Sequence, residues 1–141
     1  MKINEETMLR MLQNELLPGE QIAAAVYCVF RDIRLLRSSM YLGFLALTDS
    51  GRLVGIRAQA ASVAVAIEDI TKIKIKKNLM GGRYFDLQYG SGKENRLWFG
   101  ISPKVTGWDF PHQTEHFQTI LEALEARQAC CNAALLHTEK G

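Results

Sequence analysis

The hydrophobic pattern of the chain changes period twice. Over residues 4–17, Leu9, Leu12 and Leu16 recur at helical spacing and Met8 widens the stripe, which predicts an amphipathic helix. Asn4 stands where an N-cap is needed, and Glu5 and Glu6 suit the positive end of the helix dipole. Pro18-Gly19 closes it, because proline cannot continue the hydrogen-bond ladder. After Glu20 the period falls to two. Ile22, Ala24, Val26, Cys28 and Phe30 alternate with Ala23, Ala25, Tyr27 and Val29. Both sets are apolar, as in a strand covered on both faces.

Six further strands are predicted over residues 40–48, 52–58, 60–66, 70–77, 83–89 and 95–100. Asp49-Ser50-Gly51, Glu68-Asp69, Gly81-Gly82 and Gly90-Ser91-Gly92-Lys93 supply the turns between them. Lys72, Lys74 and Lys76 against Ile73 and Ile75 give the clearest alternation. Trp98, inside the last strand, reads as core. Residues 31–39 read as a polar, basic connection. Pro111 opens a second helix, where its missing N–H costs nothing. Phe117, Ile120, Leu121 and Leu124 form its buried stripe, and the pattern runs on weakly through Cys131 and Leu135.

The order helix, seven short strands, helix predicts a mainly β (α+β) fold. The expected form is a seven-stranded antiparallel barrel or sandwich whose open end the C-terminal helix plugs. The 141 residues fit a single domain. Its parts are an N-terminal helix at 4–17, the barrel at 20–100 and the capping helix at 111–136.

Composition narrows the classes. With 48% apolar and 23% charged residues, the chain is neither disordered, collagen-like nor a coiled coil. The net charge of +2 gives no support for a nucleic-acid module. The positive residues are nevertheless concentrated, at Arg31 to Arg37 and at Lys72 to Lys77. The Lys72, Lys74, Lys76 and Lys77 stripe reads as an edge-strand device against edge-to-edge pairing. No apolar run approaches the ~20 residues of a spanning helix. The amino terminus lacks the apolar segment of a signal peptide. The three cysteines do not make a disulfide framework, so the expected location is cytoplasmic.

Three stretches resemble a known family. Leu16-Leu17-Pro18-Gly19-Glu20 resembles the "L-x-P-G-E" opening of bacterial pleckstrin-homology and GRAM-type domains. The stretch from Tyr41 to Leu53 resembles their "G-x-L-x-L-T-x-x-R-L" hairpin, and Ile67-Glu68-Asp69-Ile70 their "I-x-D-I-x-x-I" stretch. The resemblance covers roughly residues 16–127. The tryptophan of eukaryotic capping helices is absent, with Phe117 in its place, which points to the bacterial branch. The resemblance implies a pleckstrin-homology-like (PH-like) barrel and a non-enzymatic binding or assembly module without a cofactor. It would act by protein contact or self-association. Fold alone does not assign function.

Candidate residues follow. Arg31, Arg34 and Arg37 lie in the first inter-strand connection, where phosphoinositide-binding relatives contact phosphate. With Lys93 they form the candidate site for an anionic lipid head group. Leu9, Leu12 and Leu16 need burial somewhere, and with Trp108 they form the candidate partner surface. His112-Gln113-Thr114-Glu115-His116 matches the H-x-x-E-H string of inverted zinc peptidases. Two histidines at i, i+4 share a helix face. Only 25 residues follow His116, too few for the helix that brings the third ligand. His112 and His116 are therefore candidates for adventitious metal, and a metal-dependent hydrolase is the alternative reading.

Overall fold

The structure is a computed structural model and describes residues 3–34, 37–79, 81–90, 95–105 and 109–140, with backbone alone at 33–34, 37–38 and 135–140. Seven strands run antiparallel: β1 (Ile22–Arg34), β2 (Arg37–Thr48), β3 (Arg52–Arg57), β4 (Val63–Ala66), β5 (Ile70–Lys77), β6 (Arg83–Tyr89) and β7 (Arg96–Ile101). Two helices flank them, α1 (Glu5–Gln13) and α2 (Gln113–Lys140). The strands form one curled sheet in the order β4-β3-β2-β1-β7-β6-β5. The expected mainly β, seven-stranded architecture is present as a half-barrel. β4 and β5 are its two edges, joined by a 3₁₀ turn at Ile67–Asp69.

Period-two patterning decides what faces inward. Val26, Cys28, Phe30, Leu45, Phe85, Leu87 and Phe99 pack with Phe117, Ile120, Leu121 and Leu124 of α2 in one cluster. Full burial of each such large side chain is worth about 1.5–3 kcal/mol. The Phe30 ring sits where two glycines make room. A Cβ at Gly43 would stand 2.2 Å from the Ile56 carbonyl oxygen and 2.8 Å from the Phe30 ring.

The outer face carries a second cluster. Met8 and Leu12 of α1 pack onto Ala25, Phe44 and Ala46 of the sheet, with Phe110 completing the patch. Asn4 caps α1 by accepting from the Thr7 N–H at 2.8 Å. The helix stops at Gln13, earlier than the predicted residue 17. Beyond it the ladder tightens, the Glu15 and Leu16 N–H groups bonding the Leu12 and Gln13 oxygens, and the Glu20 carboxylate takes the Leu17 N–H at 3.0 Å.

Glu20 joins two sequence stretches. Its carboxylate accepts from Thr48 Oγ1 at 2.8 Å and from Arg52 Nε at 2.9 Å, and it also bonds Ser50. Arg52 Nη2 closes the ion pair at 2.6 Å. The Pro18-Gly19-Glu20 turn is thereby fastened to the β2–β3 hairpin. Hydrogen bonding to Arg52 holds the Glu20 carboxyl far below the usual carboxylate range.

The expected basic connection over 31–39 is corrected. β1 and β2 continue as a long hairpin in which Arg31 faces Met40 and Asp32 faces Ser39. Polar residues alternate onto both faces of this hairpin, Arg31 on one and Asp32 on the other, so no period-two contrast marks it as strand. α2 begins at Gln113 instead of residue 111 and runs to Lys140, beyond the expected 136.

Candidate functional site

Strand register assembles a surface from residues far apart in sequence. On the outer face, Lys74 faces Asp86, and Asp86 faces Trp98. Trp98 in turn faces Arg31, and Arg31 faces Met40. The neighbouring row runs Lys76, Tyr84, Gly100, Val29, Leu42. Gly100 matters here. A Cβ at that position would stand 2.8 Å from the Tyr84 ring, so its absence lets the ring lie across β7. Tyr84 and Trp98 stack with centroids 5.1 Å apart at 25°. The Arg31 guanidinium sits 5.5 Å from the Trp98 centroid, within cation–π range.

The result is a pre-ordered aromatic and guanidinium ledge. A groove of 480 Å³ runs between Arg31, Met40, Lys74, Lys76 and Tyr84, with Asp86 and Trp98 also lining it. Its one carboxylate, Asp86, is paired with Arg96. A second trough of 300 Å³ crosses Gly100 between Tyr84, Met40 and Lys104. Met40 is 65% exposed and Leu42 51%, unusual for large apolar side chains on strands. Lys72, Lys74 and Lys76 are exposed along the edge.

Edge protection alone does not account for those lysines. β5 is the sheet edge, but α2 already covers two of its carbonyl groups, those of Ile70 and Ile73. Arg127 donates to the oxygens of Glu68 and Ile70 at 2.9 Å each, and Gln128 donates to that of Ile73 at 3.1 Å. The lysines project from the other side.

The sequence-predicted residues scatter. Arg31 belongs to the ledge, from within β1. Arg34 and Arg37 pair as backbone across the hairpin turn, and their side chains lie outside the described residues. Lys93 and Trp108 lie outside them altogether. Leu12 is fully buried under α1, and Leu9 packs partly against the same cluster. Leu16 is half-buried. The chain itself supplies the burial that Leu12 needs, so Leu12 is corrected from a partner contact to a core residue.

The histidine string is likewise engaged within the fold. His112 Nδ1 lies 2.6 Å from Glu5 Oε1, and Glu5 raises the His112 pKa through that hydrogen bond. His116 Nδ1 lies 2.9 Å from the Ala25 oxygen and 3.1 Å from its nitrogen. The rings stack at 5.8 Å. Among the described residues, no group of three or more His, Cys, Asp or Glu side chains converges on one point.

Trp98 and Tyr84 were missed. Trp98 is half-buried on the outer face, while its neighbours Leu97 and Phe99 enter the core. Register places Tyr84 and Trp98 beside the lysine stripe. The alternation of Tyr84, Asp86 and Gln88 was legible, but which alternate face stays uncovered was not.

No helix among the described residues is long and apolar enough to cross a membrane. No family model matches the chain, and no curated protein matches it. Among solved structures, it is similar to the crystal structure of the C-terminal domain of an unknown protein from Leishmania infantum. The identity is 15% and the TM-score 0.53, over 86% of this chain and 98% of that chain. A likeness at that identity concerns the fold alone.

Proposed function

We propose that this chain is a non-enzymatic, PH-like binding module of the cytoplasm that acts by protein contact through the outer face of β1, β6 and β7. The observation that carries the reading is the ledge of Arg31, Trp98 and Tyr84 beside exposed Met40. Trp, Tyr and Arg concentrate binding energy at protein interfaces, and Met is enriched there. Stacking holds Trp98 and Tyr84 before any partner arrives, so less side-chain freedom is lost on binding. Lysine is depleted at interface centres and suits a rim, the place Lys72, Lys74 and Lys76 occupy. A basic rim selects an acidic partner through electrostatic complementarity.

Fluorescence anisotropy of labelled poly-L-glutamate tests the charge preference. Binding is expected to weaken at least about tenfold in Lys74→Ala/Lys76→Ala and to fall again in Trp98→Ala. Equal binding by all three proteins refutes the reading.

A second reading has its own observation. Leu79 is fully exposed in the β5–β6 turn, beside Lys77. An apolar tip next to a base suits the surface of an anionic bilayer. Co-sedimentation with phosphatidylserine vesicles that is lost in Leu79→Ser supports it. Absence of vesicle binding removes it.

A further inference from the structure

We infer that the acidic surface taken by this ledge is helix α2 of a second copy, so that the chain assembles head to tail. The inference rests on the protein-contact reading above and names the partner.

α2 carries exposed acid. Glu115, Glu122 and Glu125 are exposed; Glu115 acts on nearby His112, and Glu122 and Glu125 form no ion pair among the described residues. Glu115 and Glu122 stand two turns apart on one face, and Glu125 flanks that face on the Leu121 side. This face is opposite to the stripe of Phe117, Ile120, Leu121 and Leu124 that enters the core. The same outer face continues with exposed Ala126 and Ala129, which leave room for large side chains to approach.

The two charged rows have similar lengths. Lys72 to Lys76 along an extended strand spans about 13 Å. Glu115 to Glu122 along a helix spans about 10 Å. Lysines and glutamates can therefore face one another.

Placement sets the symmetry. α2 packs on the inner side of the sheet, and the ledge lies on the outer side. The two surfaces of one copy do not overlap. A two-fold dimer through the ledge would set lysine against lysine. Pairing ledge to helix is heterologous, and it yields an open chain or a closed ring. Exposed ion pairs contribute little singly and are screened by salt, so the association is weak and salt-sensitive.

The test uses the full chain in sedimentation velocity over a dilution series at low and high salt. The wild type is expected to form species larger than dimers at low salt and to dissociate at high salt. Lys74→Ala/Lys76→Ala removes the ledge charge, and Glu122→Ala/Glu125→Ala removes the helix charge. All four positions are exposed, and circular dichroism checks that the variants fold. Each variant alone is expected to lose about tenfold or more in self-affinity. An equal mixture regains affinity but stops at two chains, because one intact ledge meets one intact helix.

A wild type that stays monomeric, an assembly that survives either variant, or a mixture that gains nothing overturns the inference. Poly-L-glutamate separates the two levels. A monomeric wild type that binds it through Lys74 and Lys76 refutes self-pairing and keeps an acidic partner. A wild type that neither self-associates nor binds it refutes both.

Discussion

A carboxylate buried to the degree of Glu20, 8% exposed, is stable only when its oxygens are satisfied. Arg52, Thr48, Ser50 and the Leu17 N–H satisfy them. Its folded pKa lies below its ordinary value of 4.5, so the unfolded chain takes up the proton first. The stabilisation is fully present above 4.5 and is lost as pH falls further toward the folded value. Glu20→Gln should lower Tm by roughly 5 °C or more at neutral pH, and should flatten the acid limb of urea midpoint against pH. An unchanged acid limb would show that the Arg52 bond is not its source. His112 carries the opposite sign. Its pKa is raised above 6.5 by Glu5, so that tie is fully present below 6.5 and is lost as pH rises through the folded value. Gly43 shows the steric limit. Gly43→Ala drives a Cβ against the Ile56 oxygen and the Phe30 ring, at a cost of about 1–3 kcal/mol by chemical denaturation. Glycine and the Glu20 motif stand plainly in the sequence. The contacts that give them their roles join β1, β2 and β3, and sequence spacing does not report those.

At the scale of elements, α2 does more than fill an opening. β7 reaches β1 only at Val29, Phe30 and Arg31, which leaves earlier β1 residues with an unpaired edge. Gln113 covers Tyr27, accepting from its N–H at 3.0 Å and donating to its oxygen at 2.9 Å. It also donates to the Ser102 oxygen at 3.0 Å. His116 covers Ala25. Further along, Arg127 and Gln128 cover β5. The helix is therefore fastened to the two free edges by polar side chains while its apolar stripe enters the core. Gln113→Leu removes the side chain that bonds the backbone N–H and C=O of Tyr27 and should cost about 1–3 kcal/mol in a denaturation midpoint. Gln113→Glu, which keeps an acceptor but loses the donor, should cost a comparable amount. A neutral Gln113→Leu would mean that water reaches this edge. The zinc-like string is explained at this scale, since His116 and Gln113 are spaced to meet alternate residues of β1. The strands β5 and β6 were legible to the residue because one of their faces is polar and the other apolar. The continuation of β1 through Arg31 was not legible, because its support comes from Trp98, distant in sequence.

For the whole molecule, the sheet is a wall shared by two apolar layers. α2 and the inward strand residues form one layer, and α1 with Phe44 and Phe110 forms the other. Leu124 and Leu12 lie at their centres, both with 0% exposure. They have the β1 backbone in common but no side-chain cluster. Packed interiors transmit strain through direct contact, and residues without shared partners usually add within about 0.5 kcal/mol. Leu12→Val and Leu124→Val should each cost about 1 kcal/mol, and the double variant should cost their sum within that margin. Chemical denaturation of the four proteins measures this. A coupling well above about 0.5 kcal/mol would mean that the sheet passes strain from one layer to the other. That outcome would bear on binding as well. The ledge occupies the part of the outer face that α1 leaves open, so a sheet that bends with its inner layer would also move Trp98 against Arg31. Additive costs would instead make the ledge a rigid surface, held by β-strand register and independent of how the helix behind it packs.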